Sequence, residues 1–281
     1  QGSHQYTALL RDFRPALKGS RAIQGAALTS ALLGFVWALV KGYGFQAAAV
    51  NVLMFPLAVF GSWRLGREVL PDDPAAAWIS MVLAFLACLA FGTTGVVALF
   101  ATLGLVKMVN RSNGLEATKL DSAVLTLLVI VTVYASASPW YAAVAALAFG
   151  FDASLKGPLR RQLLFAVLCI GTMVVYIVDH DPAWLDFHAP HTLLQWLAIV
   201  ACLLLSLNLF LLKKVHSRAQ HGGKRLDPDR VKAGMAIAIM GCLQGLDAMP
   251  YFILLVATIG GLCLGIAFRR SFRTTTKGLR H

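Results

Sequence analysis

Apolar residues run along this chain in long blocks, and short basic stretches separate them. Residues 22–40, 45–63, 162–178 and 192–212 form uncharged blocks of about 20 residues, the length of helix that crosses a bilayer. Three blocks are longer. Residues 75–106 hold 32 positions and 123–151 hold 29, all without a charge, while 233–268 hold 36 with Asp247 as the single charge. No block alternates with period two, and Ala and Leu outnumber β-branched residues, so the pattern predicts helices rather than the strands of a membrane barrel.

The long blocks are too long for single spans. A 32-residue helix would extend about 48 Å at 1.5 Å per residue, against a hydrocarbon core of about 30 Å. Each long block also carries turn chemistry at its middle: Gly92-Thr93-Thr94-Gly95, Ser136-Ala137-Ser138-Pro139-Trp140 and Asp247-Ala248-Met249-Pro250. Glycine enters turn conformations at low steric cost, and proline removes a donor and disfavours helix at the residue before it. Folding all three blocks back on themselves predicts about ten short transmembrane helices in five hairpins.

Charge supports the same count. In the ten-helix reading, segments 1–21, 64–74, 107–120, 155–161, 213–232 and 268–281 share one side and hold 24 of the 25 Lys and Arg, leaving Lys41 alone on the other. Reading the long blocks as single helices would carry Lys107, Arg111, Lys119 and the C-terminal cations across. Cationic loops stay cytoplasmic. The expectation is therefore an all-α integral protein of the cell (inner) membrane with both termini cytoplasmic. Its single transmembrane domain covers 22–272. A basic N-terminal segment (1–21) precedes it, a basic tail (273–281) follows, and a loose basic loop (213–232) lies within it. Gln1-Gly2-Ser3-His4 reads as a cloning scar, and nothing after it reads as a cleavable signal. Ten also divides as five plus five, a layout compatible with an inverted repeat.

Composition agrees. The chain is 58% hydrophobic and 14% charged, against about 25% charged in soluble domains. The net charge of +12 points to anionic lipid headgroups at the cytoplasmic face and not to nucleic acid. Cys88, Cys169, Cys202, Cys242 and Cys263 all lie in apolar blocks without a CxxC spacing, which predicts buried free thiols. No mononucleotide, metalloprotease or hydrolase motif is present and no His lies mid-block, so no cofactor is expected.

The densest polar cluster falls in segments 107–122 and 151–162. Asn110, Arg111, Asn113, Asp121, Asp152, Lys156, Arg160 and Arg161 are the candidate substrate-binding residues. The basic side chains would grip a phosphate or carboxylate, and Asp121 and Asp152, placed at one depth, would pair with a cation or carry a proton. The competing reading makes Asp121 a helix cap and the cations ordinary partners of helix C-termini. A second cluster, 178–193, offers His180, His188 and His191 as weak metal-ligand candidates. Gln24, Asn51, Asn208 and Gln244 are uncharged polar residues inside apolar blocks, suited to bonds between helices. No motif names a reaction. The leading expectation is a carrier for a small or amphipathic, anionic-leaning solute. The alternatives are a membrane-embedded enzyme acting on a phosphorylated or lipid-linked substrate, and a non-catalytic assembly or scaffold subunit.

Overall fold

The computed structural model describes residues 20–42, 44–180, 192–219, 223 and 225–278. Among them are ten α-helices: α1 (Ser20–Val40), α2 (Phe45–Val69), α3 (Pro74–Phe91), α4 (Val96–Asn110), α5 (Lys119–Ser136), α6 (Trp140–Ser154), α7 (Gln162–Asp179), α8 (Leu193–Leu211), α9 (Pro228–Leu243) and α10 (Met249–Gly278). A short 3-10 turn, Gln244–Leu246, joins the last two. Seven helices (α1, α2, α3, α5, α7, α8 and α10) are long and apolar enough to cross a membrane, and the chain is a multi-pass membrane protein.

The three mid-block breaks fall at the turn residues. Gly92 caps α3 at a φ of +84°, a conformation that glycine adopts without strain. Ala137, at a φ of +52°, ends α5, and Pro139 opens α6. Pro250 stands in the first turn of α10, where its missing N–H removes no helical bond.

The three helices outside the seven are short: 15 residues in α4 and α6, 16 in α9. A 15-residue helix reaches only about 22 Å. These three pack on one another at the centre, with α4 against both α9 and α6, and α6 against α9. Most of each is buried. Protein rather than lipid surrounds them, so their length is free of the bilayer-matching that constrains a lipid-facing helix. Of the longer helices, α10 is also mostly buried over Met249–Arg269, while α1, α7 and α8 lie at the periphery and expose Leu28, Leu32, Val167, Val175, Leu203 and Phe210.

Sequential neighbours do not always pair. The pairs α1/α2, α5/α6 and α9/α10 pack side by side, but α3 packs against α10 and α2, and α7 against α6 and α5. The expected hairpins α3/α4 and α7/α8 therefore lack a shared seam. The reason at α3 is small residues. Gly261 and Gly265 of α10 lie so close to Ser80 and Ala76 that a β-carbon on either would meet the α3 backbone. The Ser80 hydroxyl donates across the seam to the Thr258 carbonyl at 2.8 Å, and the Thr258 and Ser62 hydroxyls meet at 2.9 Å. Close approach of this kind drives helix association in lipid. Nor do the two five-helix halves share one neighbour pattern. α2 packs on α3 and α4, whereas α7, in the corresponding place, packs on neither α8 nor α9 to any extent.

Three boundaries differ from the sequence expectation. α2 continues to Val69 and takes in Arg64, Arg67 and Glu68. α9 begins at Pro228, so Arg230 and Lys232 belong to a helix and not to the loop. α10 runs on to Gly278, into the expected tail. The remaining loop is not loose where it is described. Val215, Ala219 and Leu226 are buried, and Arg218 and Arg225 form an isolated antiparallel bridge.

The candidate polar sites

Contacts between helix ends sort the molecule into two poles. At one, the turn after α3 meets α10 through Thr94 and the Pro250 carbonyl at 2.8 Å, and Ser138 donates to Gln244 at 2.8 Å. At the other pole the ends of α2, α4 and α6 meet the starts of α5, α7 and α9, and nearly all the described cations are found there.

The centre of this basic pole is Asp152, on the last turn of α6 and wholly buried. One carboxylate oxygen accepts from Arg111 Nε at 2.9 Å and Arg230 Nη1 at 2.9 Å, with Arg111 Nη2 in ionic contact at 2.8 Å. The other accepts from Gln162 Nε2 at 3.3 Å. Arg230 also donates to the Val109 carbonyl at 2.7 Å and to the Lys156 carbonyl at 2.7 Å. One guanidinium thus ties α9 to the ends of α4 and α6. Arg111 can reach inward because it ends α4 in the left-handed region, at a φ of +47°.

The remaining sequence candidates divide sharply. The N-cap of α5 is Thr118 and not Asp121; Asp121 is the third residue of the helix, and its carboxylate accepts from the Thr118 N–H and hydroxyl, both at 2.9 Å, in a capping box. Its neighbour Ser122 donates to Gln162, which in turn donates to Asp152. Asn110 is buried and donates to the Glu68 carbonyl at 2.8 Å, and Asn113 is buried nearby in the chain. Lys156 is exposed and meets Asp227 at 3.4 Å. Arg160 and Arg161 are exposed, and Arg161 donates to the Ala117 carbonyl. His180 stacks on Tyr176, with ring centroids 4.1 Å apart. His188 and His191 lie outside the described residues. No group of three or more metal-ligating side chains forms among the described residues.

Sequence reading passed over the residues that complete this pole. Glu68 is buried, and its carboxylate meets Ser112 at 2.9 Å and Arg64 at 3.2 Å. Its other oxygen is buried without a hydrogen-bond partner. A signal for these was present. Arg230 sits in the first turn of its helix, and Glu68 and Asp152 sit in the last turns of theirs. Each is on the end that the helix dipole disfavours. A charge placed against its own helix points to a partner elsewhere in the fold.

Beside this cluster lies a cavity of about 230 Å³. It opens among the end of α2, the turn into α3, the end of α8, the first turns of α9 and the middle of α10 at Ile266 and Arg269. Its walls are apolar, including Leu70, Val215, Val231, Met235 and Ile266; its polar lining is Asp72, Asp73, Asn208 and Arg269. Asp73 is paired with Arg269 at 3.1 Å. Asp72 accepts from the N–H groups of His216 and Ser217 at 2.9 and 2.7 Å, and from the Ser217 hydroxyl at 2.6 Å. Partial burial alone would push the Asp72 carboxyl up, but these bonds together hold it below its usual value. Asp72 thereby straps the 213–217 segment over the cavity mouth.

The chain matches no known family model, no curated protein and no solved structure.

Proposed function

We propose that the protein is a carrier for a small amphipathic solute, crossing the cell membrane ten times with its basic pole in the cytoplasm. Supporting the ten crossings are the three buried short helices, which complete the alternation of helix ends between the poles. Supporting the orientation is the excess of Lys and Arg at one pole. The observation that carries the reading is the amphipathic cavity at that pole, built from helices of both halves of the chain. The two carboxylates that an enzyme at the 107–162 cluster would use are meanwhile engaged in structural bonds: Asp121 in the capping box with Thr118, and Asp152 with two arginines and a glutamine. Movement of two five-helix repeats is no part of the proposal, because the halves pack differently.

One observation favours the enzyme reading. The cavity lies within about two turns of the ends of α2, α8 and α9, a depth at which a lipid headgroup would meet a site near the membrane rim. Reconstitution into vesicles separates the two. A carrier gives saturable, protein-dependent counterflow of an unaltered solute, lost when Leu212→Trp blocks the mouth of the cavity. Chemical conversion of a vesicle lipid or solute, without counterflow, would establish the enzyme instead.

A further inference from the structure

The starts of α5 and α7 form a basic patch at an exposed edge of the molecule. The two helices run in parallel and in contact. Ser122 donates to Gln162 at 2.9 Å near their starts, and the rings of Tyr134 and Tyr176 meet at 5.3 Å near their ends. Lys119 opens α5, and Arg160 and Arg161 precede the first residue of α7; all three are exposed. Arg161 donates across to the Ala117 carbonyl, which brings the two helix starts and their cations to one place. Among the described residues no carboxylate answers them. Glu116 turns to Arg111 at 3.6 Å, Asp121 is held in its capping box, and Asp152 is held by Arg111, Arg230 and Gln162. None of the three cations makes an ion pair with a described residue, whereas Lys156 is paired with Asp227.

Beyond the patch the same edge is aliphatic. α5 exposes Leu120, Val124, Leu127 and Val131 in one helical stripe, and α7 exposes Leu163 and Val167. From Leu120 to Val131 the stripe runs about 16 Å at 1.5 Å per residue, close to half of a hydrocarbon core about 30 Å thick. We infer that this edge is a binding site for an anionic phospholipid: the phosphate lies among Lys119, Arg160 and Arg161, and an acyl chain lies along the stripe below. A phospholipid of net negative charge supplies both the anion that the patch lacks and the chain that the aliphatic face accepts. A soluble anion leaves the stripe unused. A zwitterionic lipid brings its own cation and gains little from three more. The inference goes beyond the carrier reading and does not depend on it, since neither α5 nor α7 lines the cavity.

The test titrates the purified full chain in maltoside micelles with dioleoyl phosphatidylglycerol or dioleoyl phosphatidylcholine and counts bound lipid by native mass spectrometry. The first phosphatidylglycerol should bind more tightly than the first phosphatidylcholine by about fivefold or more, the worth of at least one basic residue at an anionic lipid surface. The double variant Lys119→Gln/Arg160→Gln should abolish that preference. Both side chains are exposed and neither bonds a described residue, so the fold does not depend on them. Lys213→Gln/Lys214→Gln removes as much charge from exposed positions at the same pole and should leave the preference intact. Equal affinity for the two lipids, a preference that survives Lys119→Gln/Arg160→Gln, or one that falls equally in both double variants would each overturn the site. Displacement of phosphatidylglycerol by glycerol phosphate would overturn it as well, in favour of a soluble anion.

Discussion

Asp152 and Asp121 look alike in the sequence: each is a carboxylate at a helix end, near arginines and lysines. The structure gives them unlike roles. Asp121 sits where the helix dipole welcomes it and bonds its own N-terminal turn. Asp152 sits where the dipole repels it, and Arg111 and Arg230 hold it there. Removing one member of a buried ion cluster leaves the rest uncompensated, at about 3–5 kcal/mol. Loss of part of a cap costs about 1 kcal/mol or less. Thermal unfolding in detergent should therefore show Asp152→Asn strongly destabilised and Asp121→Ala nearly wild-type. Equal effects would mean that the α4–α6–α9 tie contributes little. That Asp121 stands at a helix start was legible in the sequence, but the capping residue is Thr118. The sequence groups Arg111 with Asp152 in one polar cluster but not Arg230, because Arg230 is 78 residues from Asp152 and no local spacing relates them.

At the scale of elements, two contacts decide how helices are placed. The α3–α10 seam depends on Gly261, whose position leaves no room for a side chain, whereas a β-carbon on Gly260 would meet nothing within 4 Å. Gly261→Val should lower stability by roughly 1–3 kcal/mol through overpacking. Gly260→Val, with the same change in propensity, should be far milder when the two are compared by unfolding in detergent. The second contact is the strap on Asp72. Its carboxyl is lowered below the unfolded value, so its stabilisation is fully present at neutral pH. That stabilisation is lost as pH falls from about 4 through the lowered native value. Hydrogen exchange at the His216 and Ser217 amides, corrected for intrinsic rate, should lose protection over that acidic window. In Asp72→Asn the protection should already be reduced at pH 7. Apolar periodicity located both helices of the seam but not their partnership, since small residues in many blocks offer equally close packing.

At the scale of the whole molecule, the proposed ten crossings would place Lys41 and Lys156 on opposite sides of the membrane. Both are exposed, and the five native cysteines are buried. A membrane-impermeant maleimide should label Lys41→Cys in intact cells and Lys156→Cys only after permeabilisation. Labelling of both from one side would remove the ten-crossing topology and the common cytoplasmic pole with it. Block length, turn residues and the sorting of cations already divided the chain into its helices. Each of those signals is a contest between a segment and its solvent, water or lipid, and needs no knowledge of the neighbours. Which helices touch, which three withdraw to the centre, and which carboxylates are left to face a cavity depend on partners far away in the chain. Steric fit and charge pairing exist only once those partners meet, and only the folded structure decided them.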